Sequence, residues 1–245
     1  MIGKRKVILV GTGFVGMSMA YALLNQGNAS GVNELVLIDV LKDKAEGEAM
    51  DLCHGLPCSP SHMKIKSGEY SECKDADIVV ITAGLSQKPG QTRLELSNAN
   101  AKIMKNITEQ VIASGFKGIF LVASNPVDLM TKVVQEVSQF PTRKVIGSGT
   151  ALDTCRLRYL VGDYLNVSNK NVHAYIMGEH GDSSFVPWDH AYVGSKKIKD
   201  IIKDAKKDLS VLDKIYVEVR DAAYEIIEKK KATYYGIGLG LAKIV

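Results

Sequence analysis

The run Gly11-Thr12-Gly13-Phe14-Val15-Gly16 follows directly on four aliphatic residues, Val7-Ile8-Leu9-Val10, and this junction constrains the fold more than any other stretch. An unbroken aliphatic run is the pattern of a strand buried on both faces, as in a parallel sheet covered by helices. Phe14 to Asn25 then has helical spacing, and Leu35-Val36-Leu37-Ile38 forms a second aliphatic run closed by Asp39. Strand, glycine turn, helix, strand and terminal acid together make a dinucleotide-binding βαβ unit. Gly11 would permit the tight turn, Gly13 the approach of a pyrophosphate, and Gly16 close packing of helix on sheet. The helix N-terminus would stabilise phosphate charge. Asp39 would accept hydrogen bonds from ribose hydroxyls and repel a 2′-phosphate, which favours NAD over NADP.

The alternation continues. Further aliphatic runs lie at 78–81, 119–122 and 145–146, with amphipathic stretches near 96–114 and 127–138 between them. The expected fold class is α/β, a Rossmann-type parallel sheet over residues 1–148 followed by an α+β substrate domain over 149–245. In the second part the spacing predicts a helix over 152–165, a strand over 172–177 and long helices over 196–208 and 213–230. The final Leu241-Ala242-Lys243-Ile244-Val245 has the texture of mid-helix sequence without a stop signal, so the second domain is expected to be C-terminally incomplete. Thr82-Ala83-Gly84 and Ala123-Ser124-Asn125-Pro126 fall at carboxyl strand ends, where an open α/β sheet forms its crevice, although ordinary turn chemistry explains each almost as well in isolation.

Composition narrows the class. With 46% hydrophobic and 24% charged residues and a net charge of +4, the chain reads as a soluble globular protein. Lys196-Lys197 and Lys229-Lys230-Lys231 lie among acids in helical sequence and read as solvated faces, so no nucleic-acid partner is expected. No apolar segment has the length of a signal core or a membrane span. Four cysteines without framework spacing suggest reduced thiols and a cytoplasmic location. Cys53 and Cys58, with His54 and His62 nearby, crowd one short stretch rather than forming two separated pairs, so a plain loop is expected and no metal site.

The second half carries one conspicuous imidazole, in Gly178-Glu179-His180-Gly181-Asp182. Histidine is the side chain best suited to exchange a proton near neutral pH. Beside a bound nicotinamide it would complete an alcohol oxidation, with one acceptor for hydride and one for the proton. Three further segments accompany it: Gln87-Lys88-Pro89-Gly90-Gln91-Thr92-Arg93, Asn125-Pro126-Val127-Asp128 and Asp153-Thr154-Cys155-Arg156. Singly, each has a bland reading as a structural His, a helix-capping Asp or surface arginines. In this order they closely resemble the lactate/malate dehydrogenase family on its L-lactate branch, over the whole length from the glycine motif to Thr233-Tyr234-Tyr235-Gly236.

The resemblance implies an NAD-dependent oxidoreductase that moves a hydride reversibly between lactate and pyruvate, the last step of anaerobic glycolysis. His180 matches the proton acceptor, Asp153 the carboxylate that orients it, Arg156 the grip on the substrate carboxylate, and Arg93 the mobile-loop arginine that polarises the ketone. Pro89-Gly90 would let that loop hinge closed over the substrate. Asn125 matches a contact to substrate and nicotinamide, and Thr233 a pocket-lining residue. Gly11, Gly13, Val15, Gly16, Asp39, Lys44, Tyr70, Ala83, Gly84, Ala123, Ser124, Asn125 and Ser148 match cofactor contacts. Gln87 stands where the malate enzymes tend to carry arginine, and a neutral amide cannot pair a second substrate carboxylate, which favours pyruvate. Arg158 and His173 match the fructose 1,6-bisphosphate site of allosteric bacterial members, and a homotetramer is implied. The rival readings are a malate or branched 2-hydroxy-acid dehydrogenase and an inactive NAD-binding fragment.

Overall fold

The computed structural model describes residues 5–85 and 93–245. By packing, the chain divides into two units, Met1–Ser148 together with Tyr234–Val245, and Gly149–Thr233.

The first unit is built on strands β1 (Arg5–Val10), β2 (Val32–Ile38), β3 (Lys64–Ser67), β4 (Ile78–Ile81), β5 (Ile119–Val122) and β6 (Val145–Gly147). They form one parallel sheet in the order β3-β2-β1-β4-β5-β6. The strand order reverses between β1 and β4, the switch point at which a doubly wound sheet opens its crevice. Helices α1 (Phe14–Gln26), α2 (Lys42–Gly55), α3 (Arg93–Ala113) and α4 (Val127–Ser138) connect the strands. The aliphatic run of β1 serves two cores at once. Val7 and Leu9 join Met19, Leu23 and Leu52 on one face, while Ile8 and Val10 join Met104, Phe120 and Met130 on the other. That two-sided burial is why no polar residue interrupts the run.

The second unit begins with α5 (Ala151–Leu165) and holds a small antiparallel sheet of β7 (Val172–His173), β8 (Tyr192–Val193) and β9 (Lys196–Lys197), followed by α6 (Ile198–Asp204) and α7 (Val211–Lys230). Leu157, Val161, Ile176, Ile202, Ile215 and Val219 are among the residues of its own core. The last helix, α8 (Tyr235–Ile244), lies with the first unit and contributes Leu241 and Ala242 to the core beneath α1.

Several elements differ from the sequence reading. The strand expected over 172–177 is a two-residue strand plus an isolated bridge between Met177 and Phe185. Side chains on α5 and at its N-terminal cap take the place of a ladder there: Arg158 Nε donates to the Ala174 carbonyl, Thr150 Oγ1 to the Ile176 carbonyl, and Thr154 Oγ1 accepts from the Ile176 amide. The helix expected over 196–208 is only Ile198–Asp204, because Lys196 and Lys197 pair with β8 as a strand and Lys206 adopts a left-handed φ of 55°. The lysine pair is therefore an exposed strand end rather than a helical face. β3 escaped notice because Ile65 alone of its four residues is buried.

Candidate active site and dinucleotide cradle

The turn after β1 is shaped by what its glycines exclude. Gly11 has φ of +103°, and a Cβ there would lie 2.6 Å from the Ala83 amide nitrogen. A Cβ on Gly16 would sit 2.2 Å from the Gly11 carbonyl oxygen and 2.7 Å from Thr82 Oγ1, so α1 packs directly on the turn. Gly13 is the opposite case: nothing lies within 4 Å of its Cβ position. The helix that follows has no side-chain cap and no acid in its first turn. Its positive end is thus not offset by a carboxylate of its own first turn, and open space adjoins Gly13 among the described residues. That combination suits the pyrophosphate of a dinucleotide.

Asp39 closes β2 at the same level. Its Oδ2 accepts from the Thr12 amide at 2.7 Å and the Thr12 hydroxyl at 2.9 Å, and its Oδ1 from the Leu41 amide at 3.0 Å. Burial alone would raise this carboxyl, but the Leu41 and Thr12 hydrogen bonds and the Lys44 charge hold it below the usual carboxylate range. The acid is therefore charged at neutral pH and fastened to the glycine turn, in keeping with a ribose acceptor. Lys44 is exposed on α2, and Val15 is half-buried in the first turn of α1. Half-buried Tyr70 has its phenol pushed up to about 12 by burial and by Cys73, Asp39 and Glu69, which keeps it a hydrogen-bond donor.

The segments after β4 and β5 meet beside this turn. Thr82 Oγ1 donates to the Gly11 carbonyl at 2.8 Å, and Ser124 Oγ to the Ala83 carbonyl at 2.5 Å. Ser148 is buried after β6, its amide donating to the Val122 carbonyl at 2.8 Å. Buried Asn100 of α3 accepts from the Leu85 amide at 2.8 Å and donates to the Asn125 carbonyl at 2.9 Å. It therefore sets the spacing of the two segments that carry Gly84, Ala123 and Asn125. Neither Asn100 nor Thr12 stood out in the sequence, because a lone amide or hydroxyl carries no spacing signal. Cys53 and Leu56 pack against the core of the first unit, with Cys53 Sγ donating to the Ile65 carbonyl at 3.3 Å, while His54, Cys58 and His62 are exposed. All four cysteines are free thiols, and no metal-binding cluster occurs among the described residues.

In the second unit the structure brings three of the expected residues together. Asp153 lies in the first turn of α5, and its two oxygens are divided. Oδ2 meets His180 Nδ1 at 2.6 Å and Oδ1 accepts from Arg156 Nη1 at 3.0 Å. The Asp153 and Arg156 side chains are only 14% and 13% exposed. A carboxylate so placed directs a proton to Nδ1 and leaves proton exchange to Nε2, while compensating the imidazolium. Arg156 spends one donor on Asp153 and keeps a fork that can grip a second carboxylate. The backbone ahead of His180 is set by the Thr150 and Thr154 bonds to Ile176, two hydroxyls to which the sequence reading gave no role.

A family model described as lactate/malate dehydrogenase, NAD binding domain, matches residues 5–147, and one described as lactate/malate dehydrogenase, alpha/beta C-terminal domain, matches residues 150–245. The chain belongs to the lactate/malate dehydrogenase family. L-lactate dehydrogenase 2 of Bacillus cereus is 55% identical over 243 residues, covering 99% of this chain and 76% of its own length. L-lactate dehydrogenase 1 of Bacillus anthracis is 53% identical with the same coverage. Among solved structures, a lactate dehydrogenase from a Medee basin deep-sea metagenome library superposes with a TM-score of 0.95 at 56% identity, covering 98% of this chain and 76% of that one. The minor L-lactate dehydrogenase of Enterococcus mundtii in its ligand-bound form gives 0.95 at 51% identity, with the same coverage.

As a lactate/malate dehydrogenase family member, the chain has an NAD binding domain over the glycine turn and the Asp39 cradle. The C-terminal model spans both the His180 cluster and α8, although α8 packs with the first unit. Gln87, Pro89 and Gly90 lie outside the described residues, as does the Arg93 side chain. Asn125 is exposed after β5, and Thr233 is half-buried at the end of the second unit. Arg158 on α5 stacks its guanidinium 4.6 Å from the Tyr175 ring, and His173 is exposed on β7. No helix among the described residues is long and apolar enough to cross a membrane.

Proposed function

We propose that this chain is an NAD-dependent L-lactate dehydrogenase that interconverts lactate and pyruvate in the cytoplasm. The observation that carries the reading is the Asp153 carboxylate held between His180 and Arg156. NAD would supply the acceptor for the hydride that leaves C2 of lactate. His180 Nε2 takes the hydroxyl proton as the carbonyl forms, and returns it when pyruvate is reduced. Asp153 stabilises the cation that results, and Arg156 fixes the substrate carboxylate by bidentate pairing. Arg93 would polarise the ketone oxygen. Asn125 and Thr233 would line the substrate, and the turn from Gly11 to Gly16 with Asp39, Lys44, Tyr70, Ala83, Gly84, Ala123, Ser124 and Ser148 would hold the dinucleotide. The assay is NADH oxidation with pyruvate, and wild-type protein without turnover would overturn the reading.

The substrate choice rests on Gln87. Gln87→Arg is expected to move kcat/KM from pyruvate toward oxaloacetate, and an unchanged ratio between the two would sink the choice of pyruvate. Regulation by fructose 1,6-bisphosphate and a homotetrameric assembly extend the same reading. Arg158 and His173 lie on adjacent elements, since Arg158 donates to the carbonyl of Ala174, the residue after His173. Two such cations facing a symmetry mate would be tied together by a bisphosphate. Titrating the effector while following the KM for pyruvate tests this, with no change as the contrary result.

A further inference from the structure

His180 sits in a hairpin closed by the Met177–Phe185 bridge, whose two backbone hydrogen bonds are both 2.9 Å. Its tip is open to solvent. Gly178 has φ of +98°, and Glu179, Gly181, Asp182 and Ser183 are exposed. Besides that bridge, its far limb is tied to α7. The Tyr216 hydroxyl donates to the Ser184 carbonyl and lies 3.3 Å from Ser184 Oγ. The Tyr216 ring itself packs against the core of the second unit, so its hydroxyl is delivered from a fixed base. One turn further along α7, Arg220 is held protonated first by Asp221 and also by the charge of Asp182 at the hairpin tip.

We infer that Tyr216 is a positioning residue for the reaction: its hydroxyl latches the His180 hairpin to α7 and so sets the distance between the imidazole and Asp153. The inference rests on the proposed dehydrogenase activity for its kinetic consequence, and on geometry for the latch. Two anchors bracket His180 in sequence. Thr150 and Thr154 fix Ile176 before it, and Tyr216 fixes Ser184 after it. With the Tyr216 bond gone, the far limb loses its tie to α7 and keeps only the Met177–Phe185 bridge and the Ser184–Gly181 turn among the described residues, so the 2.6 Å contact to Asp153 lengthens in its time average. A displaced general acid costs rate steeply, because proton transfer demands near-contact geometry.

Asp153 of α5 contacts the imidazole and itself holds Arg156; Glu179 and Asp182 lie on the same hairpin, and Arg220 of α7 is within electrostatic reach of Asp182. The 2.6 Å contact with Asp153 compensates the charge of an imidazolium, and loosening it weakens that compensation. Pyruvate reduction requires the protonated form. The Tyr216→Phe variant is therefore expected to lose about 10-fold in kcat for pyruvate while its KM for NADH holds. The alkaline limb of its kcat/KM profile should move to lower pH by about half a unit. Tyr224→Phe, an exposed tyrosine on the same helix, should change neither.

The decisive measurement is the titration of the His180 ring by NMR in the protein without substrate, wild type against Tyr216→Phe. A lower midpoint in the variant supports the latch. An unchanged midpoint and pH profile, with only a lower Tm, would overturn it and leave Tyr216 a packing residue. Wild-type protein inactive on pyruvate would remove the proposed function, yet the ring titration would still decide the latch.

Discussion

Asp153 is the residue on which the candidate site turns, because one carboxylate serves two cations. Asp153→Asn keeps the shape and removes the charge, leaving Arg156 and a protonated His180 without their shared anion. We expect kcat/KM for pyruvate to fall by about 10²–10⁴-fold with NADH affinity unaltered, as read by steady-state kinetics beside a binding titration. Asp39 is the counterpart in the first unit. Its pKa is depressed in the folded state, so its contribution to stability is complete above the unfolded carboxylate range and is lost as pH falls through the lower folded value. NADH affinity should accordingly stay level from neutrality down to the ordinary carboxylate range. Asp39→Asn should weaken NADH by about tenfold, the loss of one charged hydrogen bond, and narrow the preference over NADPH. Fluorescence titrations with both nucleotides would show it, and an undiminished preference would remove Asp39 from the ribose site.

At the scale of elements, the two glycines that flank the start of α1 should respond oppositely to the same added methyl. Gly16→Ala places a carbon 2.2 Å from the Gly11 carbonyl oxygen, a backbone atom that cannot step aside cheaply. It should cost about 1–3 kcal/mol of stability. Gly13→Ala meets nothing within 4 Å and should fold normally while binding NADH more weakly. Thermal melts paired with dinucleotide titrations separate the two outcomes, and equal stability losses would refute the packing argument. The same elements explain what was readable beforehand. β1, β2, β4 and β5 are buried on both faces, so their aliphatic runs announce themselves. β3 shows one buried residue and no pattern. In the second unit, α5 hydroxyls and a guanidinium replace strand partners around 174–176, and no periodicity records such a bond. His180, Asp153 and Arg156 were legible through their motifs. Thr150, Thr154, Asn100 and Tyr216 were not, since each acts through side-chain polar atoms whose partners are distant in sequence.

At the scale of the molecule, sequence order and packing part company at Tyr234, where the chain leaves the second unit and returns to the first. The return is tight. A Cβ on Gly238 would lie 2.6 Å from the Ser18 Cβ, and Phe14 stacks on Tyr234 with ring centroids 5.1 Å apart. Arg5 Nη1 donates to the Val245 carbonyl at 2.9 Å, joining the last residue to the first strand. Leu241 is fully buried and Ala242 nearly so, against a core that includes Met19 and Leu23 of α1. Ending the chain after Thr233 would therefore uncover the face of the helix whose N-terminus receives the dinucleotide. Losing Leu241 alone is worth about 2–5 kcal/mol by analogy with core truncations, so the deletion should destabilise the first unit by at least that much. NADH binding should fail with it, although every glycine and Asp39 remain. Chemical denaturation followed by NADH fluorescence is the check. A truncated chain that melts like the full one and still binds NADH would show that α8 is an appendage and not part of the nucleotide unit's core.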